Sequence, residues 1–159
     1  MTVIATAQLY LARSIELATA NVMNSGGPFG AVVVTVEGQA FDGVNRVTAT
    51  NDPTAHAEVT AIRRACAELG RFELRGATLY TSCEPCPMCL GAIYWARPKR
   101  VVYANTRFDA AAIEFDDEFI YQQINTDMLQ RTIPFIHEPH PLALQVFEDW
   151  KKIANKKLY

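Results

Sequence analysis

Apolar positions along this chain recur first with a helical period and then with the density of strands. From about Ala5 to Val22, Ile15, Leu17 and Val22 stand among small residues in a stretch favoured by Ala, Leu and Glu, which predicts a first helix. Ser25-Gly26-Gly27-Pro28 breaks it. Ala31 to Val36 is β-branched almost throughout and predicts a buried strand. Glu37-Gly38 then turns the chain into a second strand at Ala40 to Val44, as in a hairpin.

Asn51 to Thr54 predicts a loop, because Pro53 restricts Asp52 and the polar residues favour turns. Over 56–69 the apolar residues Val59, Ile62, Ala65, Cys66 and Leu69 share one helical face, and Gly70 suits the stop. Ala77 to Ser82 predicts a third strand, Met88 to Ala96 a helix stopped by Pro98, and Arg100 to Ala104 a fourth strand. Further on, Ala110 to Ile113 and Asp117 to Ile124 predict short helices and Ile133 to Ile136 a short strand. Leu142 to Ala154 predicts a final amphipathic helix. Strands alternating with helices, without repeats or low-complexity linkers, imply one layered α/β domain.

Composition narrows the function. A chain of 159 residues, half apolar and one-fifth charged, suits a single globular domain with a real core. A net charge of -2 and a pI near 5.9 give no support to a stable nucleic-acid partner. No apolar run approaches the roughly 18 residues of a membrane span. The N-terminal stretch carries Glu16 beside Arg13 and reads as a first helix rather than a targeting segment. Four clustered cysteines then fit a reducing cytoplasm, where metal binding is favoured over disulfides.

The chemistry concentrates in His56-Ala57-Glu58 and Pro85-Cys86-Pro87-Met88-Cys89. His56 offers one neutral nitrogen, and Cys86 and Cys89 offer two thiolates. Three such ligands build an open zinc site that keeps a fourth position for water. Each half alone is weak, since His-x-Glu often only starts a helix and Cys-x-x-Cys also serves redox pairs. Their joint placement at predicted helix N-termini, where unpaired N–H groups favour anions, makes the combination specific. Glu58 is then free to act as base and proton shuttle for the bound water. Cys83 can ligate too, but Pro85 stiffens the turn before Cys86, and Cys83 reads as a small buried residue at a strand end. Cys66 reads as core, and His137 and His140 as surface. A structural-zinc interaction module is the non-enzymatic alternative, which Glu58 argues against.

The pattern H-x-E…P-C-x-x-C is the signature of zinc nucleobase deaminases. The chain further resembles the bacterial guanine deaminases of the cytidine-deaminase-like superfamily. The match runs through 26–34 (GGPFGAVVV), 51–66, 80–100, 115–121 (FDDEFIY) and 154–159 (ANKKLY). This resemblance implies a three-layer α-β-α fold with a mixed five-stranded sheet, one zinc ion per subunit, and hydrolysis of guanine at C2 to xanthine and ammonia. Carried over by position, Asn45 would hydrogen-bond the purine, Phe29 would wall its face and Ala57 would line the site. Asp117 would bind the guanine edge and help move protons to the leaving amine. Tyr159 would close the pocket from a partner subunit, making 1–159 one deaminase domain whose C-terminal segment is swapped in a homodimer. Taken without the resemblance, Asn45 reads equally as a strand-end residue, Asp117 as a helix cap, Phe29 as core, and Tyr159 as a disordered chain end. Guanosine, then tRNA adenosine or cytosine, are the alternative substrates. Within the matched stretches, Glu114 stands where the resemblance leads one to expect glycine.

Overall fold

A computed structural model describes residues 3–159, with side-chain environments from residue 7 onward. Helix α1 (Val3–Met23) leads into β1 (Gly30–Val34) and β2 (Ala40–Val44). The hairpin closes early because Thr35 and Gln39 hydrogen-bond across the turn while Gly38 takes a φ of 86°. A short helix, α2 (Val47–Thr50), comes before the Asp52 loop. Then follow α3 (Ala57–Leu69), β3 (Thr78–Cys83), α4 (Pro87–Ala96) and β4 (Arg100–Asn105). Gly70 ends α3 in the left-handed conformation, as its position suggested. Helices α5 (Arg107–Ala111) and α6 (Glu118–Ile124), a 3₁₀ turn at Met128–Gln130, and α7 (Pro141–Lys152) complete the chain.

The strands form one mixed sheet in the order β2-β1-β3-β4. β1 runs antiparallel to β2 and β3, whereas β3 and β4 are parallel, with Thr78 opposite Arg100 and Cys83 opposite Asn105. The alternation of side chains divides the core in two. Val32, Val34 and Tyr80 pack under α1, against Tyr10, Leu11 and Leu17. Ala31, Val33 and Leu79 face the opposite way and pack with Ala57, Ala61 and Ala65 of α3 and Ile93 of α4. Helices therefore cover both faces of the sheet.

Among the described residues this sheet has four strands, which corrects the five-stranded expectation. The apolar run Ile133–Ile136 does not pair. Pro134 in its middle has no N–H to give a ladder. Ile133 and Ile136 are 76% and 77% exposed, and Phe135 N donates to Met128 O at 3.0 Å in a local turn.

The chain divides into two compact units, Met1–Asp117 and Glu118–Tyr159. The first holds the sheet and α1 to α5. The second holds α6 and α7, neither of which has a buried residue. Among the described residues no helix is long and apolar enough to cross a membrane.

Candidate metal centre

Two helix starts build the site. His56 is the N-cap of α3, with φ −68° and ψ 157°, and Cys86 is the N-cap of α4, with φ −65° and ψ 169°. Neither side chain caps its own helix, so both are available to other partners. Their carbonyls take the first helical bonds, from Thr60 N at 2.9 Å and Leu90 N at 2.8 Å. Pro87 occupies the first position of α4, where a missing N–H costs nothing. Cys89 lies two residues on, in the first turn.

The surrounding backbone holds these starts in place. In β2, a Cβ on Gly43 would lie 2.3 Å from Ala57 O and 2.4 Å from Ala61 N, so glycine is what lets α3 approach the sheet. At the other start, Glu84 N donates to Asn105 O at 2.8 Å and its Oε2 accepts from Arg107 N at 3.0 Å. Glu84 thus ties the loop before Cys86 to the end of β4 and the start of α5. In the sequence, the signal of Glu84 is its place between Cys83 and Pro85.

The donor atoms of His56, Cys86 and Cys89 all lie within 4.8 Å of one another. His56 Nδ1 is 3.5 Å from Cys86 Sγ and 3.6 Å from Cys89 Sγ. Tetrahedral bonds of about 2.3 Å to sulfur and about 2.0–2.1 Å to nitrogen place such atoms roughly 3.5 Å apart, so the donor set fits zinc. The electrostatics agree. The Cys86 thiol is lowered to about 4, first through its hydrogen bond with Cys89 and then, against the cost of burial, through His56. Cys89 is pushed up by that same hydrogen bond, by burial and by Glu58. The His56 ring is raised, first by Cys86 and against the cost of burial. Two sulfurs compete here for one negative charge, and a divalent cation removes that competition by deprotonating both.

Glu58 is 6% exposed, and burial is the main cause that raises its pKa. Its Oε2 accepts from Cys89 Sγ at 3.4 Å. Cys83 stands apart. Its Sγ points at Thr106 O at 3.6 Å, and burial, then Glu58, pushes its pKa up to about 11. Among the described residues, the group placed to hold a metal ion is His56, Cys86 and Cys89.

The remaining sequence candidates fall as follows. Ala57 is fully buried at the first position of α3. Asn45 is buried, its N donating to Phe29 O at 3.1 Å and its Oδ1 accepting from Val47 N at 3.3 Å. Phe29 is half-buried and meets Phe115 edge-to-face, with centroids 5.0 Å apart. Asp117 closes the first unit, and its carboxyl is raised by burial and then by the nearby Cys86 charge. Tyr159 belongs to the second unit and is 71% exposed. Glu114 adopts a φ of 71°, a left-handed conformation that costs glycine least, which explains the expectation of glycine at that position.

An open His-Cys-Cys centre with a buried carboxylate outside the ligand set, carried on helix starts at one mixed sheet, defines a zinc-dependent hydrolase of the deaminase type. Residues 4–105 match the family model described as the cytidine and deoxycytidylate deaminase zinc-binding region, and the chain belongs to that family. It is similar to the guanine deaminase of Bacillus subtilis (strain 168), with 54% identity over 153 residues, covering 96% of this chain and 98% of the relative. The X-ray structure of guanine deaminase from Bacillus subtilis superposes with a TM-score of 0.93 over the same shares. A guanine deaminase structure from Nitrosomonas europaea gives 35% identity and a TM-score of 0.64, over 68% of this chain and 63% of that one. The tRNA-specific adenosine deaminase of Agrobacterium fabrum (strain C58 / ATCC 33970) is 39% identical over 112 residues, 68% of this chain and 74% of its own.

Proposed function

We propose that this protein is a zinc-dependent guanine deaminase, hydrolysing guanine at C2 to xanthine and ammonia. The observation that carries this reading is the likeness to the guanine deaminase of Bacillus subtilis over nearly the whole of both chains, which includes the segment beyond the metal region. The tRNA-deaminase likeness covers a smaller share of this chain.

His56, Cys86 and Cys89 would hold the zinc ion, which would supply Lewis acidity and lower the pKa of the attacking water. Glu58 would take one proton from the attacking water and give it to a purine ring nitrogen, then take the hydroxyl proton of the C2 adduct and give it to the departing amine. Its burial supports that role, because a desolvated carboxylate holds a proton nearer neutral pH than an exposed one. The C2–N2 bond breaks, a C2–O bond forms, and the amine leaves as ammonia.

Binding falls to the residues around it. Asn45 Oδ1 accepts from Val47 N, which fixes the amide plane, and Nδ2 would donate to a purine acceptor. Phe29 stacks on the base, an interaction of about 1–3 kcal/mol in base-stacking sites. The backbone at Ala57, at the start of α3, lines the base. Asp117 accepts from the N1–H and amine edge and assists proton delivery. Its carboxyl is raised by burial and then by Cys86, which supports the part in proton delivery.

Tyr159 closes the pocket from a second copy, in a homodimer that exchanges its C-terminal segments. This is supported by α7, whose Leu142, Leu144, Val146, Phe147 and Trp150 all stay exposed in one chain. Apolar surface of that extent calls for a cover. Ammonia release across guanine, guanosine, cytosine and adenine tests the reading. Guanine is expected to be turned over fastest, and faster turnover of guanosine would overturn the substrate assignment.

A further inference from the structure

We infer that Asn21, near the end of α1, is a positioning residue for base recognition; this rests on the assignment of Phe29 and Asn45 given above. Asn21 Nδ2 donates to Gly27 O and to Asn45 O, each at 2.8 Å. An amide nitrogen carries two hydrogens in one plane, so both are spent. One bond holds the loop that leads to Phe29, and the other holds the chain where β2 ends.

These two points are joined again on their far side. Asn45 N donates to Phe29 O at 3.1 Å, and Phe29 N donates to Gly27 O at 2.8 Å. Asn21 O accepts from Asn24 N at 3.1 Å and Gly26 N at 2.8 Å, so this residue also starts the turn out of the helix. A single side chain thereby sets the spacing between the proposed stacking ring and the proposed purine donor.

The local sequence is shaped around this amide. A Cβ on Gly26 would lie 2.3 Å from Asn21 Nδ2, and one on Gly27 would lie 2.9 Å from Asn45 Cγ. A side chain at either glycine would therefore push an asparagine amide out of its place. Among the described residues the Asn21 side chain bonds to the backbone carbonyls of Gly27 and Asn45 and is outside the metal-ligating group, so its influence on turnover passes through Phe29 and Asn45.

Steady-state kinetics on guanine with zinc-loaded Asn21→Ala, Asn45→Ala and the double variant test this, alongside zinc content and melting temperature. A misplacement of about 1 Å costs on the order of 10²-fold. Asn21→Ala is expected to lower kcat/KM by about 10–10²-fold, mainly as a rise in KM, with stoichiometric zinc. Added to Asn45→Ala, it should cost less than it does alone, because residues in one network are not additive, while the part that passes through Phe29 remains. If Asn21→Ala does not fold, Asn21→Asp keeps the side chain's shape, loses both donors and carries the same expectation. An unchanged KM in a folded Asn21 variant overturns the inference. So do losses that multiply in the double variant while Asn45→Ala alone is impaired. Wild-type kinetics in Asn45→Ala would instead remove Asn45 from substrate binding, and the Asn21 inference with it.

Discussion

Cys89 Sγ and Glu58 Oε2 lie 3.4 Å apart, one at the start of α4 and the other at the start of α3. The pair sets a metal-ligand candidate against a buried carboxylate that is not itself in the ligand group. A structural zinc site has no use for such a neighbour, since its four positions are filled by ligands. A hydrolytic site requires one, to move protons beside the open position.

Glu58→Ala is expected to keep stoichiometric zinc and to lose nearly all activity. General acid–base groups contribute typically about 10²–10⁴-fold, and a residue that both takes and returns protons belongs at the upper end. Metal analysis of the purified variant separates this from loss of the ion. Substantial turnover by a zinc-loaded variant would remove Glu58 from its proposed role.

Cys86→Ala and Cys89→Ala are expected to lose zinc and melt at lower temperature, because each withdraws one of three ligands. Cys83→Ala is expected to keep the metal, since its thiol faces Thr106 O and stays protonated. Zinc-to-protein ratios after dialysis decide the matter. An empty site in Cys83→Ala would overturn the ligand assignment.

Gly43→Ala tests the approach of α3 to the sheet. The added methyl meets Ala57 O and Ala61 N well inside contact distance, so the helix that carries His56 and Glu58 must shift. Overpacking of this kind costs about 1–3 kcal/mol. The melting temperature and activity should fall together, and an unaltered variant would show that β2 and α3 are less tightly coupled than their contact implies.

Glu114→Gly is expected to stabilise the protein, by up to roughly 1 kcal/mol, because a side chain held at φ 71° carries strain that glycine lacks. Part of the gain is offset by the greater freedom of glycine in the unfolded chain. Chemical denaturation measures it, and a clearly destabilised variant would show that the Glu114 side chain itself supports the loop.

The metal centre could be read from the sequence because its parts are local. His56 and Glu58 share one helix start, Cys86 and Cys89 another, and strands of ordinary pattern precede each. The strand count was less accessible. Ile133, Phe135 and Ile136 are apolar enough for a strand, and only the ladder shows that Pro134 and its neighbours stay unpaired. Helix α2 has no sequence signal because Val47, Thr48 and Thr50 are poor helix formers and the helix is only four residues long. Asn21 could not be picked out either. Its partners lie 6 and 24 residues away, and nothing in the spacing of α1 marks the contact.

Deleting Lys156 to Tyr159 is expected to abolish most deamination while leaving the first unit folded and its zinc bound. That unit ends at Asp117 and contains all three metal-ligand candidates, so the loss should fall on closure of the pocket rather than on the metal. Excluding water strengthens each polar contact to the base, which is what a closing Tyr159 would provide. If the tail acts on a partner, mixing the deletion with a full-length Glu58→Ala variant, under conditions of subunit exchange, should restore part of the activity. Each mixed dimer would then pair one intact Glu58 with a tail from the other chain. Full activity of the deletion alone would show that the tail is no lid. A dead deletion that demonstrated mixed dimers never rescue would place closure within the same chain, and the exchanged-segment homodimer would have to be given up.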